Sequence, residues 1–169
     1  MKKNLTLTGM MGVGKSTIGN ALSRRLSMEF VDIDKIIEKK LKLTIHKIFE
    51  KKGETFFRKI EEKVTLAEIK KKNRIISLGG GAFMNEKIRN LVILDTESFW
   101  LYLDVKLLEK RLINSKKRPL LINKNISKTL EKIYEERRST YSLANYKIDC
   151  NNLTAKLITK KIITLYENN

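Results

Sequence analysis

The run Gly9-Met10-Met11-Gly12-Val13-Gly14-Lys15-Ser16-Thr17 constrains this chain more than any other stretch. It matches G-x-x-x-x-G-K-[ST] without a mismatch, follows the strand-like segment Asn4–Thr8 and opens a segment of helical periodicity, the setting this pattern requires. Glycines let successive backbone N–H groups turn inward around phosphate oxygens, and the N-terminus of the following helix adds to the pull. Gly12, Val13, Gly14, Lys15, Ser16 and Thr17 are therefore the expected triphosphate contacts. Lys15 can reach the β- and γ-phosphates as a mobile point charge, and the Ser16 hydroxyl can ligate Mg²⁺. The chain is expected to bind a nucleoside triphosphate.

The remaining sequence is organised around that loop. Strand-like segments are read at Asn4–Thr8, Glu29–Asp32, Arg74–Leu78, Ser98–Leu103 and Tyr146–Cys150. Between them run helical patterns at Ser16–Ser27, Asp34–Leu41, Ile45–Lys51, Glu54–Lys72, Val105–Asn114, Ile126–Leu143 and Thr154–Tyr166. Strands alternating with helices imply crossovers and a parallel sheet covered on both faces. The expected class is α/β, three layers α/β/α around a five-stranded parallel sheet, in one domain spanning 1–169. Ligands of such sheets collect at the carboxyl ends of the strands. The longest apolar runs, such as Leu91–Leu94, are strand-length and far short of the ~18 residues a membrane helix needs. The start, Met1 to Gly9, has no long apolar stretch and no small-residue cleavage site, so no export signal is expected. Cys150 is the single cysteine and cannot pair internally, and the cytoplasm is the expected compartment.

Three features follow the phosphate loop. Asp32 and Asp34 stand two apart at the end of the second strand, where both carboxylates would face the cleft. One can hold hydrated Mg²⁺ through water and the other can take the proton of an acceptor hydroxyl. The competing reading is a helix N-cap followed by a turn acid, because Asp34 also begins a helix. Gly53-Glu54-Thr55-Phe56-Phe57-Arg58 leads into a helix in which Glu61 follows Arg58 by three residues and can orient its guanidinium. An arginine held that way suits bidentate recognition of a carboxylate. Gly79-Gly80-Gly81 ends the third strand and reads as backbone left open for a ligand, without packing value of its own.

These motifs together resemble the shikimate kinase family. The match adds Arg118-Pro119-Leu120, which resembles the family's lid, and Arg137 four before Tyr141, which resembles a late-helix R-x-x-x-Y. It spans the chain from Leu5 to about Cys150. The resemblance implies a P-loop kinase fold with a substrate-binding segment at about 33–61 and a lid at about 112–125. It implies ATP as phosphoryl donor with Mg²⁺, and shikimate as the acceptor, phosphorylated to shikimate 3-phosphate on the way to chorismate and the aromatic amino acids. Carried onto this sequence, Lys15 and Ser16 serve the triphosphate and the metal, with Asp32 supporting Mg²⁺ through water. Asp34 binds the attacking hydroxyl and is the expected base; Arg58 and Arg137 grip the substrate carboxylate. Gly80, between Gly79 and Gly81, meets the ring hydroxyls; Arg118 closes over the phosphates and Arg111 stacks on adenine. Arg138 adjoins Arg137, and the spacing to Tyr141 selects Arg137. The adenine loop near Asn151–Leu153 is short and lacks the proline often found there in the family. The family implies a monomer.

Charge raises the main alternative outside enzymes. With 36 Lys+Arg against 19 Asp+Glu, the net charge is +17, which would suit a nucleic-acid partner. The basic residues are scattered as pairs along amphipathic stretches and are read as solvated faces, with no nucleic acid and no membrane as partner. Another small kinase, acting on gluconate or a nucleoside monophosphate, is the alternative within enzymes. His46 and Trp100 are read as packing residues, and Cys150 is assigned no chemistry.

Overall fold

A computed structural model describes residues 3–113 and 125–168. The strands are β1 (Asn4–Thr8), β2 (Glu29–Asp32), β3 (Arg74–Ser77), β4 (Thr96–Tyr102) and β5 (Tyr146–Asp149). All pair in parallel, in the order β2-β3-β1-β4-β5. The helices are α1 (Lys15–Leu26), α2 (Ile33–Leu41), α3 (Ile45–Ile69), α4 (Glu86–Asp95), α5 (Val105–Leu112), α6 (Ile126–Tyr141) and α7 (Ala155–Glu167). Every residue of β1 is buried, which requires cover on both faces of the sheet. Helix α1 lies along β2 and β3 and packs on α7, while α4 lies along β4 and packs on α3. The expected α/β/α architecture with its five-stranded parallel sheet is what the chain adopts.

Register places the site. In β1, Leu7 is level with Ser77 of β3 and Phe99 of β4, so the loop after β1 opens beside the loop after β3. Gly9 sits at φ 133, and a Cβ there would collide with the Leu101 carbonyl oxygen. Only glycine lets the chain leave β1 this close to β4.

Several elements depart from expectation. The apolar run Leu91–Leu94 belongs to helix α4, which the sequence periodicity does not reveal and which is capped by the Asn85 side chain, accepting from Ile88 N at 3.1 Å. Ile88 and Val92, four apart, face the core, and Leu94 is exposed. The two helices expected at Ile45–Lys51 and Glu54–Lys72 run on as α3, with a break in the dihedrals at Gly53 (φ 79, ψ 168). That break turns Phe49 back against Phe57, with ring centroids 4.8 Å apart. Asp34 lies in the first turn of α2 rather than on a strand, and Asp32 is the N-cap, accepting from Lys35 N. Thus the capping reading of Asp32-Ile33-Asp34 holds as local structure, and strand alternation does not explain the pair.

Candidate active site

A cleft of about 530 Å³ opens over the carboxyl ends of β1, β2 and β3. Gly12, Gly14, Lys15, Ser16 and Thr17 form one wall, Asp32 and Asp34 another, and Gly80 lies between. Beside it is a smaller cavity lined by Asp34, Arg58, Glu61, Gly79, Gly80, Gly81 and Arg137. Asp34 and Gly80 line both spaces, so they stand where the two meet.

On the phosphate side, the Lys15 ammonium donates to the carbonyls of Gly9 at 2.8 Å and Met10 at 3.0 Å. The charge is thereby folded over the loop whose N–H groups it would assist. Ser16 Oγ donates to Asp32 Oδ2 at 2.6 Å. A hydroxyl and a carboxylate this close, at the mouth of a phosphate loop, are hard oxygen donors of the kind Mg²⁺ takes. Because Mg²⁺ keeps several waters and uses substrate phosphates, one or two protein oxygens suffice. The residues present therefore fit the ion. Val13 is buried under the loop. Behind it, Arg111 Nη1 donates to the Val13 carbonyl at 3.3 Å and to Gly12 at 3.4 Å. Arg111 shares a further cavity with Thr17, Cys150 and Leu153, which joins it to the segment expected to hold adenine. Burial, then Asp149, pushes the Cys150 thiol up to about 11, so it is no nucleophile at neutral pH.

On the acceptor side, Arg58 is braced twice. Nη1 donates to Glu61 Oε2 at 2.7 Å, while Nε and Nη2 donate to Glu54 Oε1 at 3.2 and 2.9 Å. Burial alone would lower the Arg58 guanidinium; Glu61 and Glu54 outweigh it and the net shift is upward. Glu61 is 1% exposed, and its Oε1 has no hydrogen-bond partner among the described residues. Burial raises its carboxyl, with Asp34 adding to the rise and Arg58 opposing it. Arg137 Nη1 donates to the Gly80 carbonyl at 2.8 Å, whereas Arg138 pairs with Glu135 at 2.9 Å on the exposed side of α6. Of the two neighbouring arginines, the one selected by its spacing to Tyr141 is the one that lines the cavity.

The triple glycine needs a correction. A Cβ on Gly79 would strike Glu61 Oε1 and lie 2.9 Å from Asp34 Oδ1; one on Gly81 would lie 2.7 Å from Arg58 Nη2. These two glycines are therefore packed closely against the ion pair and the acid, contrary to the expectation that they carry no packing value. Only at Gly80 is there room, with the nearest atom, Met11 N, at 3.5 Å. Met11, Ile45, Phe49 and Phe57 supply an apolar wall that sequence reasoning missed. The Gly53 break was the available signal, since it is what faces Phe49 toward Phe57. Arg118 and nearly all of the expected lid lie outside the described residues.

Comparison with known proteins identifies the family. The family model for shikimate kinase matches residues 11–167. A shikimate kinase of Sulfurihydrogenibium sp. is 40% identical over 162 residues, covering 96% of each chain. One of Bacillus subtilis is 39% identical over 166 residues, covering 96% of this chain and 88% of its own. The shikimate kinase of Acinetobacter baumannii, solved in complex with shikimate, superposes with a TM-score of 0.96 at 35% identity, covering 100% of this chain and 95% of that one.

Proposed function

The chain belongs to the shikimate kinase family, and on that premise we propose how its residues divide the work. The reaction is ATP-dependent phosphorylation of the shikimate 3-hydroxyl, giving shikimate 3-phosphate and ADP for chorismate and aromatic amino acid synthesis. The observation that carries the assignment is the position of Asp34. It borders both the cleft beside the phosphate loop and the cavity holding Arg58 and Arg137, the place where a hydroxyl must meet a terminal phosphate.

Backbone N–H groups from Gly12 to Thr17 hold the triphosphate, and Lys15 leaves the Gly9 and Met10 carbonyls to neutralise its outer oxygens. Ser16 and Asp32 would hold Mg²⁺, which offsets the charge on the β- and γ-oxygens when bound. Arg58 and Arg137 take the substrate carboxylate at the end of the cavity away from the phosphates. That grip orients the ring so that one hydroxyl lies against Asp34, which accepts its proton as the phosphoryl group arrives. The wall of Phe49 and Phe57 packs on the ring and excludes water. Arg111 borders the adenine end. We keep Arg118 as the charge that closes over the phosphates and 112–125 as the lid on sequence grounds, and 33–61 as the substrate-binding segment.

The protein is proposed to act as a cytoplasmic monomer without a nucleic-acid partner. Exposed lysines scattered over α2 and α7, among them Lys39, Lys40, Lys156, Lys160 and Lys161, support the reading of the +17 charge as solvated faces. Among the described residues no helix is long and apolar enough to cross a membrane. The test of the residue roles is Asp34→Asn. Turnover should fall by about 10²-fold or more, while ATP binding changes little. Full activity in that variant would remove Asp34 from the mechanism. Phosphorus NMR of the wild-type product reads which hydroxyl was modified.

A further inference from the structure

We propose that the Tyr141 hydroxyl is a positioning group for the acceptor site: it holds the Gly80 carbonyl so that Arg137 is released to the substrate carboxylate. The inference rests on reading the Arg58–Arg137 cavity as the acceptor site. Tyr141 closes α6 and is fully buried, with its hydroxyl donating to the Gly80 carbonyl. Arg137, one turn earlier on the same helix face, donates Nη1 to that carbonyl at 2.8 Å. A carbonyl oxygen has two lone pairs, and here each has a donor. The two donors differ in their freedom. Arg137 lines the cavity and is only partly buried, so it can turn to an incoming anion. Tyr141 cannot turn: its ring stacks on Trp100 of β4, with centroids 6.0 Å apart and planes at 26°.

When Arg137 turns toward a carboxylate, the Gly80 carbonyl keeps the Tyr141 hydroxyl. Without that hydroxyl, Arg137 is the carbonyl's remaining donor, and each binding event must strip a buried acceptor of its partner. The Gly80–Gly81 peptide would also lose its anchor. Because a trans peptide is planar, holding the Gly80 carbonyl also fixes the direction of the Gly81 N–H, which points the opposite way. Gly81 in turn abuts the Arg58 guanidinium. Tyr141 thus sets the backbone between both arginines without contacting the reacting atoms. Burial raises the Tyr141 hydroxyl, so it remains a donor across the working pH range.

The experiment compares the wild type, Tyr141→Phe and Trp100→Phe by ADP release, by calorimetric titration with shikimate and by melting temperature. In Tyr141→Phe, the shikimate KM and Kd should rise about tenfold, while kcat and the ATP KM stay within about twofold. Trp100→Phe loosens the stack but leaves the hydroxyl; it should lower Tm and keep the shikimate KM within about twofold of wild type. In an Arg137→Ala background the Tyr141→Phe penalty should shrink, because the group that the hydroxyl releases is gone and only the part that runs through Gly81 to Arg58 remains. An unchanged shikimate KM in Tyr141→Phe, equal rises for shikimate and ATP, or the same rise in Trp100→Phe would overturn the proposal. Loss of the fold in Tyr141→Phe would also overturn it, by making the hydroxyl a structural group. Failure of the acceptor-site reading is seen separately, as a wild type that binds ATP and not shikimate.

Discussion

Replacing Gly81 by alanine adds one methyl group against the Arg58 guanidinium. The backbone accepts it, since Gly81 has φ −108 and ψ −8, ordinary values for alanine. The space does not: the methyl carbon would lie 2.7 Å from Nη2, 2.8 Å from Nη1 and 2.9 Å from Cζ. Comfortable contact needs roughly 3.5 Å, so the guanidinium must retreat by about 0.8 Å at Nη2. It cannot do so freely. Glu61, itself buried, holds Nη1 at 2.7 Å, and Glu54 holds Nε and Nη2 from the other side. Overpacking of this size costs about 1–3 kcal/mol of stability, offset by about 0.4–1 kcal/mol from the stiffer unfolded chain. The functional loss should be larger relative to its baseline. A displacement approaching 1 Å in a positioning group can cost about 10²-fold, so kcat/KM for shikimate should fall by about 10- to 100-fold. The KM for ATP should hold, because the phosphate loop lies across the cleft. Steady-state kinetics with each substrate varied, beside a thermal melt, make the check. A kcat/KM for shikimate within about twofold of wild type would refute the reasoning, since it would mean that the Arg58 position is not held by what surrounds it.

Other outcomes follow from the same contacts. Arg58→Ala and Arg137→Ala should each raise the shikimate KM by at least about tenfold with little change for ATP, read by varying one substrate at a time. Ser16→Ala removes the hydroxyl that donates to Asp32 and should raise the Mg²⁺ concentration needed for half-maximal rate by about tenfold, measured by metal titration at fixed ATP. Glu61 gives a pH dependence. Its folded-state carboxyl lies above the ordinary 4.5, burial being the main cause, so its contribution to stability is complete below about 4.5 and is lost as pH rises through the folded value. Glu61→Gln should remove that decline; Tm of the variant relative to wild type should climb as pH rises above about 4.5, and a constant difference would contradict it.

How much of this was legible in the sequence depended on how local the cause was. The phosphate loop is set by consecutive residues, and the strand before it and helix after it are where the pattern requires them. The Arg58–Glu61 pair is a one-turn relation on a helix and formed as read. Longer-range causes were hidden. Nothing in Gly79-Gly80-Gly81 tells that Glu61, from a different element, fills the space a Cβ at Gly79 would need. The Asp34 carboxylate was placed in the cleft on a strand rule, whereas the helix begun by the Asp32 cap is what aims it there. Helix α4 escaped because its apolar residues Leu91–Leu94 run together; only the Asn85 cap and the Ile88–Val92 spacing betray it. The choice of Arg137 over Arg138 was legible only through the resemblance to the family's R-x-x-x-Y, since both arginines lie within one turn of Tyr141; in the structure Arg137 and Tyr141 both reach the Gly80 carbonyl.

The most direct test of the central claim is ADP release by the purified protein with Mg-ATP, measured with shikimate, with gluconate and with neither. Two arginines facing one cavity, with Asp34 at its junction with the phosphate cleft, predict stimulation by a hydroxylated carboxylate, and membership of the shikimate kinase family makes that acceptor shikimate and not gluconate. Absence of stimulation by shikimate in a protein that still binds ATP would contradict the account of the acceptor site.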